Sequence, residues 1–189
     1  MLSALGDRII RNMGNLMKCR VIGLAGPAHC GKNTASTVIS ALMPAYKEMS
    51  FADPLKQMLI TGLALTREQV YGDKKEEVDS RYGCTPRHMM QTLGTEWGRA
   101  LIGPDVWMLA MQQHLHPYTI ITDVRFENEA AFVRERGILI HIHRAVRIGD
   151  EHLSEKGVEI KEGDIVVQNH GTLHEFYATM TSVVDARLR

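Results

Sequence analysis

Arg20-Val-Ile-Gly-Leu-Ala25 runs directly into Gly26-Pro-Ala-His-Cys-Gly31-Lys32-Asn33-Thr34, and a helical pattern follows from Asn33 to Met43, stopping before Pro44. The first six residues are apolar on both faces, as a buried parallel strand requires. Gly26 and Gly31 let the following backbone curl so that its N–H groups point at phosphate oxygens. Lys32 adds a point charge, and the start of the helix adds its dipole. A glycine-rich turn between a buried strand and a helix is the setting in which G-x4-G-K binds a nucleoside triphosphate. The usual Ser/Thr after the lysine is replaced by Asn33, with Thr34 one position later. Thr34 is therefore expected to touch an α- or β-phosphate, with any Mg²⁺ keeping most of its waters.

Working outward, apolar runs alternate with amphipathic stretches, the α/β signature. Strands are expected at Arg20–Ala25, Tyr46–Phe51, Tyr118–Thr122, Ile138–His143 and Ile165–Gln168. Helices are expected over Asn33–Met43, from Asp53-Pro54, over Pro86–Leu101, from Pro104, over Phe126–Arg136 and over Thr172–Arg187. The implied architecture is a three-layer P-loop fold with about five parallel strands. A helical acceptor-binding region spans 52–117, and a polar, lid-like segment spans 144–164, all within one domain over 18–189. The charged, Gly-punctuated run Gly72–Thr85 reads as a mobile, solvated connection.

The 189 residues carry 22 basic and 22 acidic side chains, so no basic excess marks a nucleic-acid binder. Membrane spans are not expected, because no run of about 18 apolar residues occurs. The cysteines at Cys19, Cys30 and Cys84 are too scattered for a disulfide scaffold or a zinc site. Residues 1–17 lack a continuous apolar core and a cleavage site, so no export leader is expected. They read either as an amphipathic helix on the domain or as an appendage ahead of Met17-Lys18. A reducing, cytoplasmic setting is expected, and a homodimer is left open.

A GTPase is excluded, because Asp123 is followed by Val-Arg-Phe rather than x-x-Gly, and Asn169 by His-Gly-Thr rather than Lys-x-Asp. A small kinase needs a second anionic site, and four segments offer one. Asp123 and Arg125 follow a strand, at the edge where α/β ligands bind. They read either as Mg²⁺-shell and phosphoryl groups or as a helix cap and a partner for Glu129. Arg87 and Gln91 are four apart on one helical face, with Gly94 and Thr95 one turn on; Arg87 suits a phosphate and Gln91 a base. Met90, Leu93, Trp97 and Leu101 recur at helical spacing as a core stripe. Gly94 and Gly98 each accept about 1 kcal/mol of helix cost, which a close approach would explain. Asp53 and Lys56 open a helix at the sheet's ligand edge, as a cap or as substrate contacts. Arg144 and Arg147 lead into a polar flap, as phosphoryl-transfer lids do. His141 and His143 share a strand face and read as hydrogen-bonded, partly buried histidines.

Seven blocks in order resemble the bacteriophage deoxynucleoside monophosphate kinase family, a branch of the P-loop nucleotide kinases. They are GPAHCGKNT, FADPLK, R-x-x-M-Q-x-L-G-T-E, T-D-V-R-F-x-N-E, H-I-H-R, H-L-S-E and D-I-V-V-x-N-x-G-T-L, spanning Val21 to about Met180. The resemblance implies ATP- and Mg²⁺-dependent phosphorylation of deoxynucleoside monophosphates. It implies ATP contacts at Gly26, Ala28, His29, Cys30, Gly31, Lys32, Asn33 and Thr34. Asn169, Gly171 and Thr172 would border the adenine. Lys32, Asp123, Arg125 and Arg144 would be catalytic, with Thr34 and Asp123 near the metal through water. The monophosphate would meet Asp53, Lys56, Arg87, Gln91, Gly94, Thr95, Trp97, Glu129, Arg147 and His152. Another small-molecule P-loop kinase, such as a dephospho-coenzyme A kinase, and a non-catalytic ATP-binding regulator are the alternatives.

Overall fold

The computed structural model describes residues 20–144 and 157–188. The appendage at 1–17, the H-L-S-E block, Arg147, His152 and most of the lid-like segment lie outside the described residues. The chain divides into two compact bodies, one formed by residues up to Met49 and from Leu115 onward, the other by Ser50–His114. Among the described residues no helix is long and apolar enough to cross a membrane.

The first body is built on five strands: β1 (Arg20–Ala25), β2 (Lys47–Met49), β3 (Tyr118–Val124), β4 (Gly137–His143) and β5 (Ile165–Gln168). Their order is β2-β3-β1-β4-β5, and every pairing is parallel. Helices α1 (Lys32–Leu42), α6 (Glu127–Arg136) and α7 (Leu173–Val183) belong to this body, and α7 continues as a π-helix over Val184–Leu188. The expected α/β class and five-stranded parallel sheet are therefore found. Leu24, Ile39, Ile120, Ile140, Ile142 and Met180 are fully buried in one cluster, which is what isoleucine-rich central strands accomplish in a covered sheet.

The chain leaves β1 toward β2 at one edge and leaves β3 toward β4 on the other side. The adjacent ends of β1 and β3 therefore form the topological switch point where α/β sheets bind ligands. The pairing advances from Gly23↔Ile121 to Ala25↔Val124, two residues on β1 against three on β3. This bulge extends β3 beyond the expected end at Thr122 and places Asp123 inside the irregular step. Bulges commonly re-aim side chains beside active sites. Strand β2 is shorter than the expected Tyr46–Phe51. The Ser50 N–H donates to Asp53 Oδ2 at 2.7 Å, and the Asp53 N–H to the Ser50 carbonyl at 3.0 Å. That local turn withdraws the backbone from strand pairing.

The second body contains α2 (Asp53–Leu63), α3 (Arg67–Tyr71), a 3₁₀ turn (Asp73–Glu76), α4 (Pro86–Gln91) and α5 (Val106–Gln112). Leu55, Leu59, Leu65, Val70, Met89 and Trp107 form its core. The run Gly72–Thr85 is a folded element here, contrary to the expected solvated connection. Asp79 is buried, and its carboxylate accepts from Gln69 Nε2 at 2.8 Å and Arg81 Nη2 at 2.6 Å. The Asp79 N–H reaches back to the Cys84 carbonyl at 3.0 Å. Arg81's hydrogen bonds hold the carboxyl well below the ordinary carboxylate range, so the loop is closed by a committed ion pair.

The expected helix Pro86–Leu101 changes pitch part-way. Beyond Gln91 it continues as a π-helix over Thr92–Ile102, ending with the Gly103 N–H on the Gly98 carbonyl, five residues back. A wider turn rotates the apolar stripe out of register. Trp97 is 40% and Leu101 76% exposed, so the core stripe expected from α-helical spacing fails there. Gly94 and Gly98 are buried instead. A Cβ on Gly98 would lie 2.5 Å from Trp107 Cζ2, so the indole's close approach requires the glycine.

Candidate functional site

The loop after β1 turns back on itself through positive φ at Gly26 (141°), His29 (60°) and Gly31 (114°). Two of these residues are glycine for steric reasons as well. A Cβ on Gly26 would strike the Ile142 carbonyl oxygen, and one on Gly31 would lie 2.6 Å from Asn169 Nδ2. Ala28, His29 and Asn33 are exposed, Thr34 is half-buried, and Cys30 is buried at the loop's base. Gly31 is the N-cap of α1 and offers no side chain there, which leaves the first amides of the helix facing the loop.

Lys32 folds over this loop. Its Nζ donates to the carbonyls of Gly26 at 2.7 Å and Pro27 at 2.6 Å. Burial pulls the ammonium pKa below its ordinary value. Arg125 pushes the same way, while Cys30 and Asp123 push it back up. Lys32, Asp123 and Arg125 thus share one electrostatic field. Asp123 is half-buried at the end of β3, and Arg125 is exposed immediately beyond it.

Glu129, expected at the monophosphate, is placed inside the turn after β3. It is 2% exposed, and its Oε2 accepts the N–H of Arg125 at 2.8 Å and of Phe126 at 3.1 Å. The carboxylate reaches back one turn to fix the backbone that carries Arg125, and the contact is to that residue's amide rather than a surface pairing with its guanidinium. Asn169 is likewise placed as a brace. It is buried, and its Nδ2 donates to the Cys30 carbonyl at 2.8 Å while its N–H donates to the His143 carbonyl at 2.7 Å. Thr172 is the N-cap of α7, in a reciprocal capping box with Glu175. A Cβ on Gly171 would meet the Glu175 carboxylate, so this glycine serves the cap. Arg144, the residue immediately after β4, is exposed.

His141 is buried, as expected, and hydrogen-bonded. Its Nε2 lies 2.9 Å from Asp164 Oδ2, and Arg134 grips the same carboxylate through Nε at 3.0 Å and Nη2 at 2.7 Å. Burial alone would raise the Asp164 pKa, but the bonds from Arg134, the Lys161 amide and His141 hold it down at about 2. This network ties the start of β5 to α6. Among the described residues no cluster of three or more His, Cys, Asp or Glu side chains is arranged to hold a metal.

In the second body Arg87, Gln91 and Thr95 are exposed, and Arg87 Nε is ion-paired with Glu76. The Gly94 carbonyl is taken by the Trp107 indole N–H at 2.8 Å, so that glycine serves packing. Asp53 Oδ1 accepts from the Tyr71 hydroxyl at 3.2 Å, and Lys56 lies over the Tyr71 ring, 4.5 Å from its centroid. Trp107 and Tyr71, which support these residues, were not singled out from the sequence. Nothing in an isolated Trp or Tyr on an amphipathic helix distinguishes a support from ordinary core.

Comparison with known proteins bears on this arrangement. The family model described as deoxynucleotide monophosphate kinase matches residues 73–180. A mimivirus protein named as a putative deoxynucleotide monophosphate kinase is 38% identical over 186 residues, covering 87% of this chain and 96% of that one. The chain belongs to the deoxynucleotide monophosphate kinase family. The phage T5 deoxynucleoside-5′-monophosphate kinase is 31% identical over 110 residues, covering 51% of this chain and 44% of its own length. The structure of TT1252 from Thermus thermophilus shares the fold, with a TM-score of 0.51, 16% identity, and coverage of 90% and 98%. The family match takes in the second body from the 3₁₀ turn through α4 and α5, the Asp123–Glu129 turn and the β5–α7 corner.

Proposed function

We propose that this kinase transfers the γ-phosphoryl group of ATP to the 5′-phosphate of a deoxynucleoside monophosphate. The observation that carries the reading is Lys32 lying across a phosphate-binding loop, within the electrostatic reach of Asp123 and Arg125 at the switch point of the sheet. A triphosphate entering the loop would exchange its oxygens for the Gly26 and Pro27 carbonyls as partners of Lys32, and the α1 amides would take the adjacent oxygens. Thr34 and Asp123 would hold Mg²⁺ through water. One hydroxyl and one carboxylate are a sparse set of hard oxygen donors, which suits an ion that keeps most of its own shell. When bound, Mg²⁺ neutralises charge on the β- and γ-oxygens.

The acceptor needs no general base, because a phosphate monoester with a second pKa near 6 is already largely dianionic at pH 7. What the chain must supply is alignment and positive charge. Arg87 is the residue for the acceptor's phosphate, Gln91 and Thr95 lie on the same exposed face for the nucleoside, and Arg125 and Arg144 offset the charge that builds up during transfer. Glu129 acts through Arg125 by fixing its backbone. Asn169 acts through Cys30 by holding the loop. Incubation with ATP labelled in its γ-phosphate and a deoxynucleoside monophosphate should place the label in the diphosphate product. Label released only as inorganic phosphate would refute the transfer.

A further inference from the structure

We infer that Glu76 is an internal occupant of the acceptor-phosphate position on Arg87, giving it up when the nucleotide arrives. The inference rests on the role of Arg87 proposed above. Arg87 is the second residue of α4, and its Nε donates to Glu76 Oε1. Both side chains are well exposed, at 44% for Arg87 and 61% for Glu76. Among the described residues neither Nη of Arg87 has a hydrogen-bond partner, so most of the guanidinium fork is uncommitted.

Glu76 is delivered to Arg87 by ordered backbone rather than by chance on a loose loop. It ends the 3₁₀ turn Asp73–Glu76. The turn is fixed at its start by the Asp73 N–H on Glu68 Oε1 at 3.1 Å, and at its end by the Glu77 N–H on the Lys74 carbonyl at 3.2 Å. Three residues past Glu76, Asp79 anchors the loop through Gln69 and Arg81. The carboxylate is therefore presented at Arg87 in α4's first turn, where it keeps the guanidinium partnered before substrate binds.

The chemistry makes the exchange favourable without making it free. A carboxylate brings one negative charge, and a phosphate monoester at pH 7 brings nearly two with three strong acceptor oxygens. A dianionic phosphate therefore displaces Glu76, and the displaced pair sets a modest tax on acceptor affinity. Removing the carboxylate should lift that tax.

The test uses Glu76→Gln and Glu76→Ala, with Glu77→Gln as a neighbour of equal charge that is not ion-paired with Arg87 among the described residues, and Arg87→Ala. Steady-state kinetics with ATP and the best-used deoxynucleoside monophosphate give kcat and both KM values. Both Glu76 variants are expected to lower the acceptor KM by about twofold to fivefold, the range an exposed ion pair spans. The KM for ATP and kcat should stay put, and Glu77→Gln should match wild type. An acceptor KM that is unchanged or higher in the Glu76 variants overturns the inference, as does an equal fall in Glu77→Gln, which would reflect net charge alone. Arg87→Ala should raise the acceptor KM at least tenfold. A wild-type acceptor KM in that variant overturns the inference by removing Arg87 from the acceptor site, while γ-label transfer would still stand as the separate test of the reaction.

Discussion

Asn169→Ala separates two readings of the corner between β5 and α7: adenine contact or loop brace. In the structure the side-chain amide donates to the Cys30 carbonyl at 2.8 Å, and the residue is only 7% exposed. Truncation leaves a buried carbonyl without a donor, a loss of about 1–3 kcal/mol. For a chain of this length each kcal/mol moves the midpoint by about 2–4 °C, so thermal unfolding should show a fall of several degrees. The same loss loosens the backbone that Gly31 and Lys32 must hold around a triphosphate. Binding of ATP, ADP and GTP should therefore weaken by a similar factor, about fivefold or more, in calorimetric titrations. Asn169→Asp should be at least as damaging, because a carboxylate faces the Cys30 carbonyl with no N–H to give. An Asn169→Ala protein with wild-type stability and a selective loss of ATP over GTP would refute the brace and restore the adenine contact.

Three further outcomes are expected. Lys32→Ala should lose at least two decades of kcat, about 2.7 kcal/mol of transition-state stabilisation, with an unchanged circular-dichroism spectrum; wild-type turnover would remove the loop from the mechanism. Glu129→Ala strands the amides of Arg125 and Phe126 and should cost about 2–4 kcal/mol in urea unfolding together with a fall in kcat, whereas Glu129→Gln, which keeps a carbonyl acceptor, should recover much of both; equal damage from the two variants would contradict a positioning role. For Asp164 the folded pKa is depressed from 3.8 to about 2, so its contribution is present above pH 4 and is lost as pH falls through about 2. That shift corresponds to about 2 kcal/mol. Asp164→Asn should remove that amount at pH 7 and flatten the acid limb of the stability profile between pH 4 and 2, and an acid limb identical to wild type would show the carboxylate to be uncoupled from folding.

The strand–loop–helix from Arg20 to Leu42 was legible because its determinants are local: apolar alternation is absent, glycines sit where φ is positive, and a lysine follows. Strand β5 and the start of α2 were legible for similar reasons. Composition misled where tertiary partners decide. Gly72–Thr85 reads as solvated because it is charged, yet Asp79 and Arg81 spend that charge on each other and on closing the loop. The stripe of Met90, Leu93, Trp97 and Leu101 assumes 3.6 residues per turn, and the π-helix from Thr92 breaks that assumption. At the site, residue types announced which groups were present but not their tasks. Glu129 and Asn169 stand in family motifs, and both turn inward to hold backbone. Only coordinates distinguish a carboxylate that meets substrate from one that caps the turn beneath it.

The central claim is tested most directly by a coupled ADP-release assay with ATP and Mg²⁺ against a panel of deoxynucleoside monophosphates, ribonucleoside monophosphates and dephospho-coenzyme A. Turnover with one or more deoxynucleoside monophosphates, well above that with dephospho-coenzyme A, is the expected result. Tight ATP binding without turnover of any deoxynucleoside monophosphate would contradict it, leaving the phosphate loop in place and the acceptor assignment wrong.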